Sequence, residues 1–417
     1  MSDSAASQSP PAPAWRTPTV IMICGALVFM LSAGTRQTFG LYLHPMSSAQ
    51  GWGREVFALA VAVLTLLMGA VTPFMGAVAD RYGSGRVILF GGALWALGLY
   101  LMAAATTPLA ITLATGVVVG LGASATSVSI AIGAVGRQVP EHLRSRALGV
   151  VTAGGSVGQM LVLPLAQGLI AWLDWKLALM SMGALMVLLI PAALGVGGRP
   201  VAEPGAGSQR VGHALAEAGR HQGFLLLTAG FFVCGFHVSF IATHLPSFVV
   251  DSGLPAGVGA AALFLVGVFN IFGSYTWGRL GGRRRKKRLL SILYLARAAL
   301  IGVFLAVPVS AASVLLFASA MGFLWLGTVP LTSGLVGQIF GVRYLSTLFG
   351  IVFFSHQVGG FLGAWLGGYV FDTTHSYTLM WLFSIALGIA SALLHMPIDD
   401  KPVARVGTLA AQAAAGK

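Results

Sequence analysis

Arg36 lies in an apolar run over residues 18–43, where its positive charge is unusual. Ser32, Thr35 and Arg36 fall on one helix face, because residues three and four apart are neighbours on a helix. No Asp or Glu occurs deep in any apolar run of the sequence. A guanidinium without an acidic partner can bind a carboxylate through two parallel hydrogen bonds. We therefore expect Arg36 to bind an anion. The alternatives are a guanidinium held by backbone carbonyls, or one that extends to a polar interface.

Six other polar side chains within apolar runs are candidates to complete such a substrate-binding site: His237, His244, His356, Gln357, Asn270 and Gln159. His237 and His244 are seven residues apart, so they share a helix face. Histidine titrates near neutral pH and can carry a coupled proton. The alternative for each of the six is a hydrogen-bonded structural residue that never meets a substrate.

Three further residues in apolar runs give weaker signals. Arg297 fits either a structural or a functional role. Cys24 and Cys234 are typical of small buried hydrophobes, and no carboxylate or thiolate completes a metal site with the histidines. The sequence has no phosphate-binding loop and no paired carboxylates, so we expect neither enzymatic activity nor a cofactor.

The elements that position these residues follow from composition. Of 417 residues, 57% are hydrophobic and only 8% are charged, whereas soluble domains have about 25% charged residues. Because a membrane-spanning helix needs about 20 apolar residues, the apolar runs predict an all-α membrane protein with twelve spans. The predicted spans are 18–43, 55–78, 87–106, 108–135, 147–171, 176–197, 223–250, 257–279, 289–308, 312–336, 346–371 and 377–396.

Polar segments divide the chain into two six-span bundles. We expect a disordered cytoplasmic tail over 1–17, bundles over 18–197 and 222–396, a cytoplasmic linker over 198–221 and a cytoplasmic tail over 397–417. With both termini inside, 20 of the 24 Lys and Arg residues fall in cytoplasmic segments, as the preference of basic residues for that side requires. The basic run over 283–288 is interpreted as a loop near anionic headgroups rather than a nucleic-acid site, since no aromatic residue interrupts it.

The two halves are internally similar, which predicts pseudosymmetry. At an offset of 198, Gly69 matches Gly267, and Arg81 matches Arg279. At an offset of 201, Gly158 matches Gly359. Halves related by an axis along the membrane normal are a transporter architecture, in which the halves rock about a site near the midplane.

The segment from Gly76 to Arg86, with Asp80-Arg81 and then Gly83, resembles the loop between the second and third spans of the major facilitator superfamily. The resemblance covers nearly the whole chain and implies the major facilitator fold. It also implies that Asp80, Arg81 and Arg86 belong to an inner gate, for which Arg144 and Arg146 are plausible partners. The second copy has Gly278 in place of Asp80, so we expect an asymmetric gate.

Within the superfamily, Gly51-Trp52-Gly53-Arg54-Glu55 and a glycine-rich fifth span resemble the bacterial monocarboxylate and oxalate/formate porters. The resemblance implies a monomeric inner-membrane transporter that moves a small organic anion, a monocarboxylate, by proton symport or anion exchange. The expected partners are that anion, protons and the lipid bilayer, and no nucleic acid. The alternatives are a multidrug or amphiphile exporter of the same superfamily and a transport-inactive membrane sensor.

Overall fold

Twelve helices in the described part of the chain are long and apolar enough to cross a membrane. A computed structural model describes residues 15–136, 138–197, 211–341 and 345–403. The spans, numbered in chain order, are Pro18–Gln50, Arg54–Ala79, Ser84–Ala104, Pro108–Gly136, Ala147–Leu173, Trp175–Val196, Gln222–Asp251, Ala256–Gly281, Lys286–Ala306, Ala311–Phe340, Thr347–Thr374 and Thr378–His395.

Four of the described spans are interrupted near their middle, and in span 6 the interruption is a 3₁₀ turn over Met186–Leu188. Span 1 consists of Pro18–Gln37 and Phe39–Gln50, joined at Thr38. Span 4 ends one helix at Ala125 and resumes at Val128, after a stretch of π-helix over Thr112–Val119. Span 10 consists of Ala311–Leu324 and Thr328–Phe340. Interruptions of this kind free backbone polar groups, which must find partners inside the protein because lipid offers none.

The same packing occurs twice, once in spans 1–6 (the N-terminal half) and once in spans 7–12 (the C-terminal half). Span 1 packs along span 5 as span 7 packs along span 11. Spans 2 and 4 pair as spans 8 and 10 do, and spans 3 and 6 pair as spans 9 and 12 do. Span 2 packs on span 11 and span 5 on span 8, so the halves meet through two equivalent contacts, and the second helix of span 1 also packs on span 7. The predicted all-α fold with twelve spans in two pseudosymmetric bundles is confirmed.

Both ends of the described chain lie on one face of the bundle, which we call the terminal face, and the opposite face is the distal face. At the terminal face, Arg16 donates to Gly195 O at 3.1 Å, and Val403 N donates to Ile339 O at 2.9 Å. A short helix over Val211–Arg220 precedes span 7 on this face. The predicted tails and linker fall largely on residues 1–14, 198–210 and 404–417, which lie outside the described residues.

The halves meet from the distal face to mid-membrane and separate toward the terminal face. Gly69 of span 2 packs against Gln357 of span 11. Gly76 and Gly350 lie two turns further toward the terminal face, on the same sides of these two spans. A Cβ added at either glycine would have no atom within 4 Å outside its own helix. The contact between spans 2 and 11 therefore ends near Gly69, and the described structure is open toward the terminal face.

Candidate functional site

Arg36 lies two residues before the interruption in span 1. The Thr38 hydroxyl donates to Thr35 O at 2.7 Å, and a new helix begins at Phe39. Arg36 is half-buried, and its guanidinium makes no hydrogen bond or ion pair with any residue that the structure describes. As expected from the sequence, Arg36 is therefore a cation without an acidic partner among the described residues. Its role in binding a substrate stays a prediction.

The helical position of Arg36 directs it toward the interior of the bundle. A helix turns by roughly 100° per residue, so Ile23, which is 58% exposed on the outside of span 1, lies roughly 140° away from Arg36. Gly25 and Ser32, by contrast, lie within roughly 40° of it and both contact span 4. A side chain that points inward and is still partly exposed must border an internal opening. The alternative of a guanidinium held by backbone carbonyls is not seen among the described residues, and the alternative of one that extends to a polar interface stays open.

The hydroxyl groups next to Arg36 differ in their availability. The Ser32 hydroxyl lies 2.7 Å from Thr126 Oγ1, which also accepts a hydrogen bond from Trp95 Nε1 at 3.0 Å. Thr35 is 1% exposed, and its Oγ1 has no partner among the described residues. Of the three polar residues predicted on this face, Ser32 connects span 1 to the interruption in span 4, and Arg36 remains free to bind a ligand.

Arg297 is fully buried and caps the first helix of span 10. Its Nη2 donates to Leu324 O at 2.7 Å and also to Trp325 O, and its Nε donates to Leu324 O at 3.2 Å. These carbonyls are left without helical partners where span 10 is interrupted. Cys234 Sγ lies 3.7 Å from the same guanidinium. The role of Arg297, open from the sequence, is structural in this conformation.

Asn270 holds the other side of the same interruption. Its Oδ1 accepts a hydrogen bond from Leu326 N at 3.1 Å and one from Ser274 Oγ at 3.2 Å. The Asn270 side chain is therefore fixed by its oxygen. Its use as a substrate ligand stays a prediction that involves the amide nitrogen.

Each predicted histidine has a protein partner within the C-terminal half. His237 Nε2 lies 2.8 Å from Ser384 O in span 12. His244 bridges the Tyr377 hydroxyl at 3.2 Å and Ala364 O at 2.7 Å. His356 Nδ1 lies 2.9 Å from Gln357 Oε1, and its ring stacks on Phe353 at 5.5 Å. The structure therefore does not gather the three rings into one site, and their roles in binding or proton transfer stay predictions.

Gln159 and Gln357 connect the two halves at mid-membrane. Gln159 Nε2 donates to Leu263 O at 3.1 Å, and Gln357 Nε2 donates to Thr65 O at 3.0 Å. Both side chains are almost fully buried, at 4% and 2% exposure. Gln159 follows Gly158, which packs on Gly34, so the first contact lies within about one helical turn of the depth of Arg36.

The predicted gate residues lie at the terminal ends of spans 2, 3 and 5. Span 2 continues as helix to Tyr82, and Gly83 then adopts φ +97°, a left-handed conformation that favours glycine, before span 3 begins at Ser84. Arg81 and Arg86 are exposed. The side chains of Asp80, Arg144 and Arg146 lie outside the described residues, so the predicted gate contacts remain predictions.

A polar cluster that the sequence did not predict closes the distal face. Arg54 Nη1 and Nη2 donate to the two carboxylate oxygens of Asp251 at 2.5 and 2.6 Å, and Nη1 also donates to the Tyr377 hydroxyl at 2.9 Å. Asp372 accepts from Arg54 N and Glu55 N at 2.9 and 2.7 Å. Burial raises the pKa of the Tyr377 phenol, so this hydroxyl stays protonated. The cluster links the start of span 2 to the C-terminal half.

A second hydrogen bond joins the halves beside this cluster: Trp365 Nε1 donates to Glu55 Oε1 at 2.9 Å. The signal in the sequence was the segment 51–55, which places a basic and an acidic residue at a span end. Their partners lie about 200 to 320 positions away, and no local pattern identifies them.

Twelve spans, two repeated halves and an inward-pointing cation beside an internal opening define a multi-pass membrane transporter. A family model described as Major Facilitator Superfamily matches residues 25–363. The chain belongs to this superfamily. The D-xylose-proton symporter, a solved structure, aligns with a TM-score of 0.67 at 15% identity, over 94% of this chain and 100% of that one, and shares the fold.

Curated relatives are similar at low identity over most of the chain. An uncharacterized MFS-type transporter, YcxA of Bacillus subtilis (strain 168), is 24% identical, covering 89% of this chain and 92% of the relative. Monocarboxylate transporter 12 of Rattus norvegicus is 26% identical, over 95% and 89% respectively. Monocarboxylate transporter 11 of Homo sapiens is 26% identical, over 88% and 79%. The predicted resemblance to the superfamily and to monocarboxylate transporters is confirmed at this level.

Proposed function

We propose that this protein is a secondary active transporter that moves a small organic anion, a monocarboxylate, by alternating access. The observation that carries the proposal is the Arg36 guanidinium, which points into the bundle without a partner among the described residues. A cation held inside a membrane protein is costly unless it is paired. A substrate carboxylate supplies the missing charge, and two parallel hydrogen bonds fix its orientation.

The names of the relatives support the same class of substrate. Those of rat and human are called monocarboxylate transporters, and the alignments cover most of each chain. The depth of Arg36 supports it as well, because substrate sites in such transporters lie near the bilayer midplane between the halves. The amide nitrogen of Asn270 is the second donor in our proposal, since its oxygen is already used by span 10.

In this proposal the terminal face is cytoplasmic and the protein lies in the cell inner membrane. The basic residues support this orientation: Arg81, Arg86 and the exposed arginines of the run over 283–288 lie at this face. The described conformation then opens toward the cytoplasm. Asp80, Arg81, Arg86, Arg144 and Arg146 form the gate that closes this side when the halves rock back.

The first test is a thermal-shift screen of the purified protein against short monocarboxylates, dicarboxylates and lipophilic cations. A ligand that binds the folded state stabilises it by RT ln(1 + [L]/Kd), so the melting temperature rises with the logarithm of the ligand concentration once this exceeds the dissociation constant. We expect stabilisation by monocarboxylates and none by lipophilic cations. Stabilisation by the cations alone would contradict the proposal and favour an amphiphile exporter of the same superfamily.

The second test separates the two modes of energy coupling. Proteoliposomes are given either an imposed pH gradient or an internal load of the same unlabelled carboxylate, and uptake of the labelled carboxylate is measured. Proton symport predicts accumulation driven by the pH gradient in empty vesicles. Exchange predicts uptake only into preloaded vesicles, because each inward step then needs an outward one.

A further inference from the structure

The two contacts that join the halves at mid-membrane are copies of each other. In one, Gln357 of span 11 donates to Thr65 O of span 2 at 3.0 Å and packs on Gly69, one turn further along. In the other, Gln159 of span 5 donates to Leu263 O of span 8 at 3.1 Å and packs on Gly267, again one turn further along. We call each set of glutamine, carbonyl and glycine a glutamine clasp.

A single offset of 198 relates every member of the two clasps. Thr65 corresponds to Leu263, Gly69 to Gly267, and Gln159 to Gln357. The offset is that of spans 2 and 8, although sequence identity in spans 5 and 11 favoured 201. The three-residue difference is slightly less than one helical turn, so it moves a residue along the helix while keeping it near the same side. The packing of spans 5 and 11 on spans 1 and 7 keeps the offset of 201, since Gly158 packs on Met30 O and Gly359 packs on Phe232 O. The two glutamines therefore lie about one turn apart on equivalent helices, and both reach equivalent positions of spans 2 and 8.

Each clasp is closely packed and buried. A Cβ added at Gly69 would lie 2.5 Å from Gln357 Cγ, and one added at Gly267 would lie 2.9 Å from Gln159 Cγ. Real Cβ atoms do not approach so closely, so glycine is what lets each glutamine reach the backbone of the other half. Breaking the hydrogen bond of a buried amide costs free energy, because the amide is left without a partner. This cost favours a contact that stays formed throughout the transport cycle.

Spans 2 and 11 are in contact on the distal side of the Gln357 clasp and are apart on its terminal side. On the distal side, Gly368 of span 11 packs on Ala58 of span 2, and the polar cluster of Arg54 closes the end. On the terminal side, Gly76 and Gly350 face open space. The clasp is thus the boundary between the closed and the open part of the interface, where a rocking motion has its smallest displacement.

We propose that the two glutamine clasps are the pivots of the transport cycle: the halves rotate about the line through Gln159 and Gln357, and both clasps stay formed in the terminal-open and the distal-open states. This inference depends on the chain being a transporter of this superfamily and not on the chemistry of its substrate. It gives Gln159 and Gln357 a positioning role, in place of direct contact with substrate.

The test is a covalent pivot with a control cross-link on the same two spans. In a background with Cys24→Ser and Cys234→Ser, the pivot variant carries G69C and Q357C, and the control carries A58C and G368C. The two pairs have the same Cβ–Cβ separation, since a Cβ at Gly69 would lie 2.7 Å from Gln357 Cβ and one at Gly368 would lie 2.7 Å from Ala58 Cβ. Each pair must separate by about 1 Å to reach disulfide geometry. A Cβ at Gly368 would also lie 2.8 Å from the Glu55 backbone, so each oxidised variant is compared with its own reduced form. A protease site inserted in the linker measures cross-linking, since cleaved halves stay together only through the disulfide.

Opening of the distal face is measured without any substrate, by the reactivity of a reporter cysteine introduced with the substitution S47C. Ser47 is 7% exposed and lies two turns beyond Gly40, on the side of span 1 that contacts Ala242 of span 7. The rate at which a membrane-impermeant maleimide labels this cysteine measures how often the interface between spans 1 and 7 becomes accessible to solvent. We expect the pivot disulfide to change that rate by less than about twofold, and the control disulfide to lower it by about tenfold or more.

A pivot disulfide that suppresses labelling as strongly as the control would overturn the inference, because the halves would then have to separate at the clasp. A control disulfide without effect, or a reporter that is never labelled, would contradict it equally, since the distal interface would not open. The pair G267C and Q159C repeats the experiment at the second clasp and covers a failure of the first variant to fold. Because no substrate is used, a negative carboxylate screen leaves the result unaffected.

Discussion

Arg36 and Arg297 both lie within membrane spans, and they differ in whether the guanidinium donates hydrogen bonds to the protein. Arg297 donates to two carbonyls at the interruption of span 10. Arg36 has no partner among the described residues, and it borders an internal opening. A buried cation that caps backbone carbonyls is part of the scaffold, even though Arg297 Nη1 has no partner among the described residues, whereas a cation that makes no hydrogen bond and lies beside an opening is available to a ligand.

This difference predicts opposite effects of removing the two charges. Arg297→Gln should lower the melting temperature in detergent, because it leaves the carbonyls of span 10 without their charged donor at a cost of about 2 kcal/mol. Arg36→Gln should leave the melting temperature of the ligand-free protein unchanged or slightly higher. Differential scanning fluorimetry of the two variants in parallel makes the comparison. A loss of stability with Arg36→Gln that matches Arg297→Gln would place both arginines in the scaffold.

The sequence predicted the state of Arg36 and not that of Arg297, for a physical reason. The absence of deep carboxylates can be counted in the sequence, so the lack of an acidic partner for Arg36 is a direct deduction. The partners of Arg297 are backbone carbonyls that become available only because span 10 is interrupted. The residue types of Leu324 and Trp325 do not indicate that their carbonyls lack helical hydrogen-bond donors.

The interruptions themselves show how neighbouring elements override local signals. Pro73, Pro164 and Pro246 all lie inside uninterrupted helices. Span 4 is interrupted near Thr126, where no proline is nearby, whereas span 10 is interrupted near Trp325 and has Pro330 in the first turn of its second helix. In a membrane, a broken helix is stable where other spans supply partners for the freed groups. Proline alone therefore does not identify the breaks, and the break in span 4 depends on partners from other spans that a local sequence pattern does not contain.

Glycine packing at the scale of one span gives a second prediction. In span 11 a Cβ at Gly363 would collide with Phe236 O, whereas one at Gly350 would meet open space. Gly363→Ala should therefore push spans 7 and 11 apart and lower the melting temperature. Gly350→Ala should be neutral or slightly stabilising, because alanine favours a helix over glycine by about 1 kcal/mol. Equal effects of the two substitutions would mean that the packing of span 11 on span 7 is not as close as described.

At the scale of the whole molecule, the polar cluster of Arg54 favours the state that is closed at the distal face. The ion pair of Arg54 and Asp251 is partly exposed, with side-chain exposures of 10% and 28%. We therefore expect this pair to stabilise the distal-closed state by about 1 kcal/mol. Arg54→Gln should then raise the labelling rate of the reporter S47C by about fivefold, by increasing the population of the distal-open state.

The control for this prediction is Lys176→Gln, which removes an exposed positive charge at the distal end of span 6. It should leave the labelling rate unchanged, because Lys176 does not join the two halves. An equal increase in both variants would mean that net charge, rather than the contact with Asp251, sets the balance between the states.

How the halves fit together is where sequence reasoning was least complete. The number of spans, the division into halves and the repeat follow from hydropathy and offsets, and the structure has them. Gln159 and Gln357 were predicted as substrate ligands because they are polar groups in central spans. Their carbonyl partners lie in the other half, 104 and 292 positions away, and such contacts depend on the relative placement of two rigid bodies.

The central claim is that Arg36 binds the carboxylate of the substrate. The most direct measurement compares the dissociation constants of propionate and the neutral propionamide in the wild type and in Arg36→Gln, with Arg36→Lys as the charged control. A guanidinium–carboxylate contact of about 1.5–3 kcal/mol predicts that the wild type prefers the anion by about tenfold to a hundredfold. The preference should vanish in Arg36→Gln and be partly retained in Arg36→Lys. An undiminished preference for the anion in Arg36→Gln would contradict the account.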